Sequence, residues 1–183
     1  MHARRSAQPA SVRLAAADAL ATQVRGIEAW HRVGRVAGYW AVRGEMPLHA
    51  LLAPRPTFDY CLPCLSDDQR LRFAPWRAGE PLVQNRYGIP EPDIAPDEQL
   101  AADAIDIVLV PLLAFDRHGT RLGSGGGYYD RSFAFLSERT RPSRPLLIGI
   151  AYGFQEVERL HAEPWDIALD YVATDAELIE CCS

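Results

Sequence analysis

The amino-acid sequence predicts an α/β fold: a single layered domain with a largely parallel central sheet flanked by helices. Three observations carry that expectation. The apolar, β-branched runs Ile105–Leu112 and Leu146–Ala151 lack polar alternation, as strands buried on both faces of a parallel sheet do. Segments of strand and helix character interleave along the chain. The 183 residues, 48% apolar and 23% charged, suffice for one core, and no repeat or low-complexity tract divides them. The expected unit is therefore one domain over residues 1–183.

The elements follow in order. Ser11–Val24 reads as a helix with Ser11 as N-cap and Val12, Ala16, Ala19 and Leu20 on one face. A short helix over Ile27–His31 leads into the extended segment Arg35–Trp40, and Met46–Ala53 forms a helix stopped by Pro54 and Pro56. Thr57–Leu62 is a buried strand expected to end at Pro63, and Leu71–Pro75 is another. Pro75–Asp97 carries five prolines and reads as a long ordered loop, held by Trp76 and Tyr87. After the strand at Ile105–Leu112 come a turn at Asp116–Gly119, a glycine-rich stretch and a helix over Tyr128–Arg139. Leu169–Asp175 is a further strand, and Asp175–Glu180 a terminal helical turn.

Composition removes several functions. All 19 basic residues are arginine, which excludes Schiff-base, pyridoxal-phosphate and Walker-A lysine chemistry. A net charge of −5 argues against a nucleic-acid partner. The longest apolar run, Ile107–Phe115, is too short to cross a membrane. Asp18 interrupts the only signal-like stretch, so a cytoplasmic location is the default expectation. Cys61 and Cys64 read as buried structural thiols rather than a redox pair, since no helix pattern follows Cys64, and the vicinal Cys181/Cys182 pair has poor geometry for completing a zinc site with them. His2, His31, His49, His118 and His161 form no constellation.

The stretch Arg121-Leu122-Gly123-Ser124-Gly125-Gly126-Gly127-Tyr128-Tyr129-Asp130-Arg131 carries the chemistry. It stands between a buried strand and a helix, the context in which backbone N–H groups and a helix N-terminus converge on phosphate. A slack linker rarely carries two tyrosines and flanking arginines. The spacing differs from that of a dinucleotide-binding loop. Asp130, in the first helical turn, would repel bound phosphate unless a cation such as Mg2+ bridged them. Arg121 is a candidate to neutralise phosphoryl charge.

Val110–Arg131 resembles the signature segment of the 5-formyltetrahydrofolate cyclo-ligase family, also called 5,10-methenyltetrahydrofolate synthetase. The likeness extends through RVAGYWAVRGE, YCLPCL, NRYGIPEP and EPWDIALDYVATD, from about Arg5 to Glu177. It implies an ATP- and Mg2+-dependent enzyme, expected to be a monomer. The formyl oxygen of 5-formyltetrahydrofolate is phosphorylated, N10 attacks the activated carbon, and ADP and phosphate accompany the 5,10-methenyl product. Positioning and charge stabilisation dominate such a reaction, which suits a site without lysine.

Residue by residue, the resemblance implies that Arg121, Leu122, Gly123, Ser124, Gly125, Gly126, Gly127, Tyr128 and Tyr129 hold ATP, with Arg121 and Tyr128 catalytic. Ser124–Tyr128, Trp40 and Glu45 would face the folate, and Asp130 and Asp170 would bind the metal. Two departures stand out. The family's opening K-x-x-L-R has no match, with Arg4 and Arg5 matching a later part of that helix, so weak ATP binding is expected unless those arginines substitute. Met46, Pro47 and Leu48 replace the family's acidic and hydroxyl residues after Glu45. The alternative expectation, from another functional class, is a non-catalytic folate- or nucleotide-binding module of the same fold.

Overall fold

The computed structural model describes residues 1–181, so the expectation for Cys182 lies outside the described residues. In chain order come α1 (His2–Ser6), α2 (Ala10–Arg25), β1 (Arg35–Ala37), α3 (His49–Leu52), β2 (Asp59–Leu65) and β3 (Leu71–Pro75). They are followed by β4 (Leu82–Gln84), β5 (Pro90–Pro92), β6 (Ile107–Pro111), β7 (Ala114–Phe115) and β8 (Arg121–Leu122). The last elements are α4 (Tyr128–Phe133), β9 (Leu146–Ile150), β10 (Tyr171–Ala173) and β11 (Leu178–Glu180). Seven strands form one sheet in the order β11-β10-β9-β6-β1-β2-β3. The inner neighbours pair in parallel, while the edge strands β3 and β11 run antiparallel. This is the predicted α/β sheet.

β6 explains the continuous apolar run. Ile107 and Leu109 enter one core layer, and Val108 and Val110 enter the other. Burial of each contributes about 1.5–3 kcal/mol. The first layer is covered by α2 through Ala16, Ala17, Leu20, Ala21 and Val24. The second is covered by Phe133 at the end of α4 and by Leu136 in the 3-10 turn Ala134–Glu138. The helix expected through Arg139 thus changes pitch after Phe133.

Several local expectations are corrected. Val12 is exposed, and α2 instead presents three alanines to the sheet, small residues that carry little hydropathy signal but allow close approach. β2 continues through Pro63. Phe73, opposite Pro63, exchanges both of its backbone bonds with Leu100, so Pro63 stands at a pair that needs no N–H toward β3. β1 ends opposite Cys61 and makes no demand on Pro63 from the other side. The long proline-rich loop contains the hairpin β4–β5, closed by Asn85 Oδ1 accepting from the N–H groups of Tyr87 and Ile89. Asp175–Glu180 is not helical. Thr174 Oγ1 accepts from the Ala176 and Glu177 N–H groups, reversing the chain so that β11 pairs with β10.

Cys61 and Cys64 are buried on β2, and burial pushes both thiols up to about 12, far from a reactive thiolate. Asp116 fixes the turn into β8. It is fully buried and accepts from the N–H groups of His118, Thr120 and Leu160. Burial opposes its charge, but these bonds prevail and hold the carboxyl below its ordinary range. The stability it adds is present above the unfolded carboxylate pKa and is lost as pH falls through the depressed folded value. Asp116→Ala is expected to cost about 2–4 kcal/mol by orphaning three donors, and to flatten the acid limb of a denaturant-midpoint-versus-pH curve.

Candidate active site

The sheet order places a topological switch between β1 and β6. From β1 the chain moves outward to β2 on one side, and it later returns to β6 on the other. Ligands of open α/β sheets bind in the crevice beyond the carboxyl ends of such strands. The loop leaving β1 carries Trp40 and Glu45, and the chain leaving β6 runs through the β7–β8 hairpin into the glycine loop. Both segments therefore leave the carboxyl ends of the two switch-point strands.

Arg5 ties the two sides together. Its Nη1 donates to the Leu112 carbonyl at 3.1 Å and its Nε to the Arg43 carbonyl at 3.2 Å, while Nη2 lies 3.6 Å from Glu45 Oε1. Gly44 permits this approach: its φ is +75°, and a Cβ there would stand 2.7 Å from the Arg5 carbonyl oxygen. Arg5 is 2% exposed and acts in this arrangement as a strut between the two segments. Arg4 instead lies over the Phe154 ring, 4.3 Å from its centroid.

Glu45 also accepts from the Val42 N–H at 3.0 Å. Burial, only partly offset by that bond and by Arg5, raises its pKa. Tyr129 is the link to the loop: burial first, and then the Glu45 charge, push its phenol well up. Trp40 is partly exposed and meets Trp76 edge-on at 5.8 Å between centroids. Together they offer an aromatic flank at the loop that carries the half-buried Glu45 carboxylate.

The loop itself is open. Leu122, Gly123, Ser124, Gly125 and Gly126 are exposed, and a Cβ at Gly123 or Gly125 would meet nothing within 4 Å. Gly127 precedes α4 with φ +63°, a conformation that turns the backbone into the helix start. Beneath it, Arg131 Nη2 donates to the Gly126 carbonyl and its Nε to the Gln69 carbonyl. The backbone is thus tied down by Arg131, open at Gly123 and Gly125, and bordered by the Tyr128 ring at Gly126.

Arg121 and Asp130 form a pair at 2.5 Å, with the Arg121 side chain 6% exposed. Arg121 Nη1 also donates to the Ile167 carbonyl, and Asp130 Oδ1 accepts from the Ile167 N–H at 3.2 Å. Arg121 is therefore neutralised in this arrangement and holds the Ile167 segment against the loop. Among the described residues Asp130 Oδ2 accepts no hydrogen bond, and the side chain is 23% exposed. One carboxylate oxygen can serve a divalent cation whose shell is otherwise phosphate oxygens and water.

Asp170 does not join it. Its Oδ2 accepts from Arg141 and from the Leu147 N–H at 2.7 Å, at the amino-terminal ends of β9 and β10. Burial raises its pKa despite these bonds. Among the described residues no three His, Cys, Asp or Glu side chains gather to hold a metal.

Tyr128 stands at the lip. Arg86 Nη2 donates to its hydroxyl at 2.6 Å, and the Tyr87 hydroxyl lies 3.0 Å away. The Tyr87 bond, and then Arg86, lower the Tyr128 pKa. Arg86 and Tyr87 occupy the turn between β4 and β5, more than 40 residues upstream in sequence. In the sequence that segment reads as part of one long loop, and neither the turn nor its contact with the glycine loop was legible there.

The comparisons agree with this architecture. The model of the 5-formyltetrahydrofolate cyclo-ligase family matches residues 1–175. The 5-formyltetrahydrofolate cyclo-ligase of Haemophilus influenzae is 34% identical over 138 residues, 73% of this chain and 72% of that protein. The Escherichia coli K12 protein of the same name is 38% identical over 111 residues, a match spanning only 58% of its length. The NMR structure of Aquifex aeolicus 5,10-methenyltetrahydrofolate synthetase superposes with a TM-score of 0.80 at 27% identity, covering 100% of this chain and 89% of that one.

Proposed function

The chain belongs to the 5-formyltetrahydrofolate cyclo-ligase family, a ligase family, and we propose that it converts 5-formyltetrahydrofolate to 5,10-methenyltetrahydrofolate with ATP and Mg2+. The observation that carries this reading is the exposed, glycine-rich backbone at Gly123–Gly127, reached from the carboxyl end of β6 as the loop bearing Trp40 and Glu45 is reached from that of β1. ATP supplies the phosphoryl group that activates the formyl oxygen and makes it a leaving group.

The chain's own residues orient and enclose. The N–H groups of the glycine loop and the start of α4 meet phosphate oxygens. Glu45 accepts hydrogen bonds from the amino-pyrimidinone edge of the pterin, and Trp40 covers an aromatic face. The raised Glu45 pKa suits a carboxyl that recognises by hydrogen bonding inside a poorly hydrated pocket. Tyr128 and Tyr129 line the space around the reacting carbon. Asp130 Oδ2 is the proposed magnesium contact, with Arg121 fixing the carboxylate's orientation. Asp170, committed to Arg141 and Leu147, acts on the fold rather than the metal in this arrangement.

An absorbance assay for the methenyl product tests the proposal. Product is expected only when 5-formyltetrahydrofolate, ATP and Mg2+ are all present, with ADP formed in equal amount. Binding of both substrates without turnover would point instead to a non-catalytic module.

A further inference from the structure

We propose that Arg86, on the β4–β5 turn, is the cation that grips the terminal phosphates of a nucleotide seated on the glycine loop. This rests on the nucleotide reading above and adds a residue to it.

The other arginines near the loop are already committed. Arg121 is neutralised by Asp130, and Arg5 is buried against Glu45 and two carbonyls. Arg131 is fixed beneath the loop by the Gly126 and Gln69 carbonyls, and Arg4 lies on Phe154. Arg86 differs from Arg5, Arg121 and Arg131 in having, among the described residues, no carboxylate or carbonyl partner, and from Arg4 in being held on a residue of the glycine-loop helix. Its side-chain partners are the Tyr128 and Tyr87 hydroxyls, both neutral, and among the described residues no carboxylate lies within ion-pair distance. Its guanidinium rests 5.5 Å from the Tyr87 ring centroid and 6.0 Å from that of Tyr128. The acidic residue of its own hairpin, Glu91, instead turns its Oε2 to the Leu65 N–H and the Asn85 amide.

Position completes the argument. The Tyr128 ring lies over Gly126, since a Cβ there would stand 2.9 Å from its Cδ2. A cation bonded to the Tyr128 hydroxyl therefore hangs at the edge of the open cradle. Guanidinium carries five donors, so two can meet phosphate oxygens in bidentate fashion while a third stays on Tyr128. In a chain with no lysine, this supplies the positive charge that backbone N–H groups alone do not.

The test is calorimetric titration of ADP and of AMP into the wild-type chain, Arg86→Gln and Arg86→Lys, with thermal melts confirming that the variants fold. Wild type is expected to prefer ADP. Arg86→Gln, which can still bond Tyr128 but lacks the charge, is expected to lose about tenfold to a hundredfold in ADP affinity with AMP affinity unchanged. Arg86→Lys should recover most of the loss. Wild-type ADP affinity in Arg86→Gln, or an equal loss for AMP, overturns the assignment while leaving the nucleotide reading intact. Failure of the wild-type chain to bind either nucleotide overturns both.

Discussion

Gly126→Val is expected to abolish nucleotide binding while the protein stays folded. The residue is exposed, so no buried side chain is replaced, and moving Tyr128 off its core contact costs about 1–3 kcal/mol, small enough to leave the protein folded. The damage is local. A Cβ at Gly126 would approach Tyr128 Cδ2 to 2.9 Å and Cε2 to 3.1 Å, and valine adds two methyl groups to that conflict. Tyr128 would have to leave its place beside Arg86 and Tyr87, and the new side chain would stand where phosphate oxygens approach the backbone. Calorimetry on the folded mutant decides the matter. Unchanged ADP affinity would contradict the cradle.

Asp130→Ala is expected to have the largest effect on stability. Arg121 is almost fully buried, and removing its carboxylate leaves a charge without compensation, at a cost of about 3–5 kcal/mol. The Ile167 N–H loses its acceptor as well. Asp130→Asn separates the two roles of the residue. The amide oxygen can still accept from Arg121 and Ile167, so most of the fold is preserved, but the negative charge is gone. Its half-maximal activity should require more Mg2+ than the wild type does. A wild-type Mg2+ dependence would reduce Asp130 to a partner of Arg121. Chemical denaturation of both variants alongside the magnesium titration gives the two readings independently.

The parts of this fold that were legible in the sequence are those set by local composition. β6 and β9 announced themselves because burial on both faces demands unbroken apolar runs, and the glycine loop because few other uses need so little side chain. The β4–β5 hairpin was hidden by prolines that hold its second strand, and β11 by a Thr174-built reversal that resembles a helical start. At the site, loop and acidic residues could be named, but their partners could not. Nothing in the spacing says that Arg121 is neutralised by Asp130, that Arg5 is a buried strut, or that Arg86 reaches Tyr128 from another hairpin. Those contacts arise from the sheet order, which brings the ends of β1, β2 and β6 together and which no local pattern records.

The central claim is that the Gly123–Gly127 backbone is where nucleotide phosphate sits. The most direct measurement follows the backbone amide resonances of the 15N-labelled chain while Mg2+ and ADP are added. The amides of Gly123, Ser124, Gly125, Gly126 and Gly127 are expected to shift most, with Arg86 and Asp130 moving in the same concentration range. The Leu147 and Asp170 amides, at the other end of the strands, should stay in place. Saturable shifts confined to residues outside the loop, or none at all at millimolar ADP, would contradict the account.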